Sequence, residues 1–252
     1  MSLIASFTKR SKLNATIEQT AKARKSEGNT ADGLFKAAYQ GYAEVLHDDP
    51  LRADALYNWG FALLHQAKTK TGDEAVRIYQ DAIDKFAFCM LINPNYLGAA
   101  INGGVAYMDL ARLKKVKPDN ELYEMAKKQF EKANAIQAGT ASYNLACIYG
   151  LRGDSEACLK ALENARDKVT LPEASEILDD PDLDSVKEQA WFAEFMESLN
   201  KKAVSEAENN ETIAETVHNK KWAIVERKID SEETDTDQNT PVEDSPGLEE
   251  AK

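Results

Sequence analysis

The sequence predicts an all-α protein in which helical hairpins stack into a solenoid. When the chain is shifted against itself by about 44 residues, a period typical of helical repeats, residues 53–89 align with residues 97–133. The shift pairs Asn58 with Asn102, Gly60 with Gly104, Ala62 with Ala106, Ala82 with Ala126 and Phe86 with Phe130. The glycines leave room for a facing helix. The stripes Ala82/Phe86/Cys89 and Ala126/Phe130/Ala133, spaced i, i+4, i+7, predict one buried face on each second helix.

Composition limits the classes of function. The 252 residues are 43% hydrophobic, which is enough for a sizeable core. The net charge of −12 is concentrated in residues 231–252, and this acidic balance excludes nucleic acid as the main partner. Cys89, Cys147 and Cys158 form an odd set without CxxC spacing, so we expect buried, reduced thiols and a cytoplasmic location. The sequence shows no membrane-spanning run or secretory signal.

Residues 1–33 are predicted to form a basic amphipathic helix followed by a turn. Six lysines and arginines lie in residues 1–25 against Glu18 alone. Such a helix fits either a membrane surface or targeting segment, or a cap on the first face of the solenoid, and we favour the cap. Residues 27–33 have the composition of a turn, and the next helix is predicted at residues 34–47, ended by Pro50.

Residues 34–140 are predicted to hold the repeats, with two elongated hairpins at residues 51–95 and 97–136. Thr71 and Glu74 have the spacing of a capping box at the start of the second helix of the first pair. Both hairpins are about ten residues longer than a 34-residue unit, so their tips, residues 68–73 and 114–120, form a second candidate binding surface. Residues 141–200 predict a shorter hairpin and a capping helix that carries Trp191, Phe192 and Phe195. Residues 201–252 are predicted to be a disordered acidic tail.

Four segments resemble the tetratricopeptide repeat (TPR). ADALYNWGFALL and GAAINGGVAYMDLA resemble its first helices, and DAIDKFAFCMLINPNY and MAKKQFEKANAI resemble its second helices. Residues 144–199 resemble the TPR end-of-group module, through the DPDLD run at 180–184 and the aromatic residues after it. The resemblance implies a right-handed superhelix whose concave surface binds peptides or partner proteins. The elongated hairpins also resemble the repeat domain of the plant mitochondrial import receptor.

In the TPR arrangement the first helices line the concave groove, and Asn58, Asn102 and Asn144 occupy equivalent positions on them. Their apolar neighbours are Tyr57, Phe61, Ile101, Val105 and Tyr143. TPR proteins that bind chaperone tails add lysines and arginines here, but the neighbouring positions, Asp54, His65, Met108, Asp109 and Cys147, supply none. We therefore expect an extended peptide whose backbone pairs with the amides. In the alternative, the asparagines bond the backbone of the preceding repeat.

Catalytic and metal chemistry find little support in the sequence. His47, His65 and His218 lie in unrelated segments, without an HExxH motif or a Cys–His pairing, so we predict no enzyme and no cofactor. The alternating Asp180, Asp182 and Asp184 are reminiscent of a calcium loop. However, Ser185 stands in place of its glycine and Trp191 in place of its bidentate glutamate, so we predict a turn and an N-cap instead of a metal site.

Trp222 forms an aromatic and basic island in the acidic tail with Lys220, Lys221, Arg227 and Lys228. It fits a motif that docks on a partner, or one that docks in the chain's own groove. The sequence as a whole indicates a non-catalytic adaptor, scaffold or assembly factor. The alternatives are a membrane-surface receptor for protein targeting or a co-chaperone, and an enzyme that uses the solenoid as a platform.

Overall fold

The computed structural model describes residues 3–199 and residue 201, with side chains from residue 11 onward. All regular structure in this part of the chain is helical. The elements are α1 (Leu3–Arg24), α2 (Gly28–Asp48), α3 (Ala53–Ala67), α4 (Gly72–Ile92), α5 (Leu97–Leu113), α6 (Glu121–Ile136), α7 (Ser142–Arg152), α8 (Ser155–Asp167), α9 (Ala174–Asp179), a 3-10 turn (Pro181–Leu183) and the helical residues 190–199.

Consecutive helices pair into four hairpins, α1–α2, α3–α4, α5–α6 and α7–α8. The second helix of each hairpin packs against the first helix of the next, and the first helices α1, α3 and α5 contact one another in order. These hairpins lie within one compact unit that ends at Phe195, and a separate unit begins at Met196. The described part of the chain therefore forms an all-α helical repeat, as the sequence predicts.

The two stripes predicted on the second helices form the centre of the core. Phe86 on α4 and Phe130 on α6 are almost completely buried, as are the alanines and the cysteine that share their stripes. The glycines of the first helices make room for these rings. A Cβ atom on Gly60 would lie 2.9 Å from Phe86 Cε1, and one on Gly104 would lie 2.7 Å from Phe130 Cδ1. Close packing of a glycine against a phenylalanine thus recurs in both hairpins.

The N-terminal hairpin differs from the sequence-based expectation. α2 begins at Gly28, so the turn predicted at residues 27–33 is wrong. Ala31 and Phe35 continue the buried stripe of α2 for about two turns before Ala38. They belong to the same core cluster as Leu13 and Ala23 of α1, and this burial keeps the segment helical. α1 and α2 span 22 and 21 residues, so this hairpin is as long as the two predicted to be elongated.

Helix α1 contacts α2 through small polar side chains that a hydrophobic pattern does not reveal. Thr16 and Thr20 are buried together with Leu13 and Ala23. The Thr20 hydroxyl is hydrogen-bonded to the hydroxyl of Tyr42 on α2, at 2.8 Å. Each threonine also donates to the carbonyl four residues earlier in α1, which satisfies its hydroxyl inside the interface.

The residues that precede α4 and α6, Thr71 and Asn120, differ in how they cap their helices. Thr71 precedes α4 but accepts no side-chain capping bond, so the predicted capping box is wrong, whereas Asn120 accepts from the amide of Leu122 at 3.0 Å. We therefore expect Asn120→Ala to lower the free energy of unfolding by about 1 kcal/mol, and Thr71→Ala to leave it nearly unchanged. Urea denaturation of both variants checks this difference, and an equal loss would contradict it.

The C-terminal part of the first unit closes over the last hairpin. Gly153 ends α7 with a φ of 68°, and Asp154 then caps α8 by accepting from Ala157 N at 3.2 Å. Ile177, Leu183, Val186 and Phe192 are almost completely buried. Cys89, Cys147 and Cys158 are buried free thiols, as predicted, and burial raises the pKa of Cys89 to about 11 and that of Cys158 to about 12. In the described part of the chain, no helix has the length and apolar character to cross a bilayer.

Candidate functional site

The structure places the predicted groove residues on one series of helices, which we call the first-helix face. Three elements contribute them: α3 (Tyr57, Asn58, Phe61), α5 (Ile101, Asn102, Val105) and α7 (Tyr143, Asn144). All eight side chains are half-buried, so each has a packed part and an accessible part. This combination suits residues that hold the stack together and also contact a ligand.

Tyr57 joins α3 to the next hairpin. Its ring centroid lies 4.9 Å from that of Tyr96, and the rings of Phe61 and Phe86 are also close. A Cβ on Gly98 would lie 2.9 Å from Tyr57 Cε2, so the ring packs directly on the start of α5. Desolvation raises the pKa of the Tyr57 hydroxyl, which accepts a hydrogen bond. Tyr57 therefore contributes to packing as well as to the exposed face.

Asn58 and Asn102 each donate one hydrogen bond within the chain. Asn58 Nδ2 donates to the Asp54 carbonyl in its own helix at 2.7 Å. Asn102 Nδ2 donates to the Tyr57 hydroxyl at 3.1 Å. The alternative that they bond the backbone of the preceding repeat is wrong for these two residues. Since a primary amide has two N–H donors and an acceptor oxygen, each bond uses only part of its capacity.

Arg24 of α1 covers the N-terminal end of the first-helix face. Its guanidinium lies 4.9 Å from the ring centroid of Phe61, and Phe61 in turn contacts His65 at 4.4 Å between centroids. Burial, with help from Arg24 and Lys68, lowers the pKa of His65 to about 4. His65 is therefore neutral at pH 7 and contributes a packed ring.

A pocket of about 350 Å³ marks the other end of the face, between α5, α7 and residues 180–182. Val105, Tyr143 and Asn144 line it together with charged side chains. Arg112 donates to Asp109 at 3.0 Å and, through a very short bond, to Asp182. Lys68 lies 3.3 Å from Asp109. The second end of the face is thus polar and densely ion-paired.

Three basic residues reach the first-helix face from outside the groove positions considered in the sequence: Arg24, Lys68 and Arg112. Arg24 belongs to α1, which has no sequence signal that places it beside α3. Lys68 and Arg112 lie at the ends of α3 and α5, beyond the expected groove positions. Since both are ion-paired with carboxylates of this chain, the structure does not support a clamp for a peptide carboxylate.

Residues 180–184 form the predicted turn and N-cap, since Asp180 accepts from Asp182 N at 2.9 Å. Potential ligand atoms of Cys147, Asp180 and Asp182 lie within 4.8 Å of one another. However, Asp180 accepts from the Tyr143 hydroxyl at 2.8 Å and Asp182 is bonded to Arg112, while burial strongly raises the pKa of Cys147. An ion would have to displace these partners and deprotonate the thiol, so we assign no metal site.

Some predicted features lie outside the described residues. These are Trp222, with the basic residues around it, and the acidic tail from residue 202 onward. Side chains of residues 1–10 are also outside the described set, so the membrane-contacting face of residues 1–25 is only partly represented.

The sequence matches the family described as plant specific mitochondrial import receptor subunit TOM20 over residues 33–149. This region runs from α2 into α7 and includes all eight predicted residues of the first-helix face. The match supports a TPR-type helical repeat and a protein-interaction role, and it indicates no enzyme family. It ends before the segment that resembles an end-of-group module, so that assignment stays a prediction.

No curated protein matches the chain. Among solved structures, one titled "Crystal structure of MamA" is 23% identical and covers 56% of this chain and 95% of its own, with a TM-score of 0.30. A second, titled "Crystal structure of MamA protein", is 19% identical and covers 67% of this chain and 96% of its own, with a TM-score of 0.31.

Proposed function

We propose that the chain is a non-catalytic adaptor or receptor that binds a peptide segment of a partner protein on the first-helix face. The observation that carries the proposal is that Phe61 on α3 and Ile101 and Val105 on α5 keep exposed apolar surface on two helices that contact each other. We call these three side chains the apolar row. Binding would remove their remaining exposed surface from water. The partly used amides of Asn58 and Asn102 would add hydrogen bonds to the peptide backbone.

The match to an import receptor subunit supports a narrower proposal, in which the ligand is a basic amphipathic targeting segment. The net charge of −12 would attract such a segment over long range, and its apolar side would lie on the apolar row. Three buried thiols agree with a reducing compartment, so we propose a receptor that faces the cytoplasm.

A synthetic helical peptide of leucine and arginine provides a direct test by fluorescence anisotropy. The double variant Ile101→Asp/Val105→Asp should bind it about tenfold more weakly or worse, because two apolar contacts are lost. If the peptide bound only through its positive charge, the two added aspartates would strengthen binding instead. The direction of the change in affinity therefore distinguishes apolar contact from electrostatic attraction. Ala87→Asp/Ala135→Asp, at exposed positions on α4 and α6, is the matched control and should bind like the wild type.

The outcomes separate the broad proposal from the narrow one. Selection from a random peptide library, with Ile101→Asp/Val105→Asp as the counter-selected protein, would recover basic amphipathic sequences if both proposals hold. Recovery of neutral or acidic sequences that need the intact face would reject only the targeting segment. If the variant and the wild type select the same peptides, the first-helix face is not the binding site.

Membrane contact through residues 1–25 is a second proposal that the side-chain contacts favour less. Lys12 is paired with Glu44 at 2.7 Å, and Arg24 is turned toward Phe61. Lys22 and Lys25 are exposed. Flotation of the chain with vesicles that contain phosphatidylglycerol tests this contact, and Lys22→Glu/Lys25→Glu should abolish flotation if α1 lies on the membrane.

A further inference from the structure

Three large hydrophobic side chains are exposed together at the end of the α3–α4 hairpin. Leu51, in the turn before α3, is 73% exposed, and Phe88 and Leu91 on α4 are 54% and 76% exposed. They surround a cleft of about 530 Å³ that Pro50, Leu56 and Ile92 complete. We call this feature the α4 cleft. Its lining comes from the α2–α3 turn, the first turn of α3 and the last turns of α4, whereas the first-helix face uses other residues.

The internal repeat shows that the fold does not require hydrophobic residues at these positions. Shifted by about 44 residues, Leu51 corresponds to Asn95, Phe88 to Lys132 and Leu91 to Ala135, all of them exposed. The same shift in the other direction pairs Phe88 with Glu44 and Leu91 with His47, which are exposed on α2. Three successive hairpins therefore share one architecture, and only the middle one carries this apolar cluster.

The charges beside the α4 cleft are acidic. Asp49 is exposed immediately before Pro50, and Asp84 is exposed one turn before Phe88 on α4. Of the basic residues near the cleft in sequence, Arg52 donates to Asp54 at 2.9 Å, and Lys85 lies 4.5 Å from the ring centroid of Trp59. Two copies of this surface would place like charges together, and an anionic membrane would be repelled.

We propose that the α4 cleft binds a short apolar segment of a partner protein that is flanked by lysines or arginines. The aromatic and leucine side chains would enclose its apolar residues, while its basic flanks would face Asp49 and Asp84. This surface gives the chain a second protein-binding site, so that one partner can occupy the first-helix face while another lies on the α4 cleft.

The test uses the full chain and a fluorescein-labelled synthetic peptide, NKKWAIVERK, which is the sequence of residues 219–228 and has the required composition. Phe88→Glu/Leu91→His installs the residues that α2 carries at the same positions, so the variant should keep its helicity. We expect its affinity for the peptide to fall at least about tenfold, although the added charge favours a basic peptide. Because the first-helix face can also take a basic apolar peptide, the same comparison is made in an Ile101→Asp/Val105→Asp background, where the α4 cleft is intact. A further loss of affinity caused there by Phe88→Glu/Leu91→His separates the proposal from the first-helix site.

Each other outcome would overturn the proposal. Equal peptide affinity of Phe88→Glu/Leu91→His and the wild type would show that the cleft is not the site. A wild-type dimer that the same variant converts to a monomer in sedimentation would assign the cleft to a second copy. Tighter peptide binding by Trp222→Ala would assign it to the chain's own segment. Flotation with phosphatidylcholine vesicles that depends on Phe88 would assign it to lipid.

Discussion

Gly104→Ala should lower the free energy of unfolding by about 2 kcal/mol. The new Cβ would lie 2.7 Å from Phe130 Cδ1 and still closer to another ring atom, and Phe130 is completely buried. Overpacking of this kind costs about 3 kcal/mol at the upper end of its usual range, and the higher helix propensity of alanine returns about 1 kcal/mol. For a chain of this length we expect the melting temperature to fall by about 4–8 °C, measurable by calorimetry.

Gly33→Ala is the matched control, because Gly33 lies inside α2 and a Cβ there would meet nothing within 4 Å. Gly33→Ala should raise the free energy of unfolding by about 0.5–1 kcal/mol, because alanine has the higher helix propensity. Replacing the ring with a smaller aliphatic side chain should also relieve the clash, so Gly104→Ala should cost less in a Phe130→Leu background than in the wild type. If Gly104→Ala and Gly33→Ala shift the stability in the same direction, the glycine does not serve to admit the ring.

The α3–α4 and α5–α6 hairpins could be predicted from the repeat pattern because the residues that pack them recur at regular spacing along the chain. The stripe that contains Phe86 recurs at helical spacing, and Gly60 stands one period before Gly104. The N-terminal hairpin was less predictable because Thr16 and Thr20 fill its interface, and threonine in a helix normally indicates a polar surface. Their burial depends on a hydrogen bond to Tyr42 of another helix, which no single-helix pattern can show.

The predicted apolar row and asparagines lie on the first-helix face, but its charged ends could not be predicted. Spacing within a helix fixes which side chains share a face, so Phe61, Ile101 and Val105 could be placed from the sequence. Arg24 reaches Phe61 only because α1 lies beside α3, and Asp182 meets Arg112 only because residues 180–182 fold back onto α5 and α7. Both contacts depend on tertiary packing between segments that are distant in sequence.

Arg112→Met should destabilise the chain by about 2 kcal/mol at pH 7. The variant would leave the Asp182 carboxylate, which is only 8% exposed, without its cationic partner, while Asp109 keeps Lys68 at 3.3 Å. Loss of one member of a fully buried pair costs about 3–5 kcal/mol. The Arg112 side chain is 43% exposed, so water screens part of the interaction and we expect a smaller loss. Chemical denaturation at pH 7 gives the value.

The pH dependence of this loss identifies its cause. Burial raises the pKa of Asp182 above its usual value, and Arg112 opposes that rise, so removing Arg112 should raise this pKa further. A carboxyl group with a raised native pKa binds more protons in the folded state, so stability falls as pH rises through that pKa. The unfolded state titrates alike in Arg112→Met and the wild type, so only the native pKa values set the difference between them. This difference should therefore be small below the usual aspartate pKa of about 3.9, where Asp182 is mostly protonated in both native proteins, and should grow toward pH 7. In a background with Asp182→Asn the buried carboxylate at position 182 is absent, so the effect of Arg112→Met should vary much less with pH. An equally large effect at pH 3.5 and pH 7 would mean that Arg112 stabilises the chain through the packing of its aliphatic stem instead of its charge.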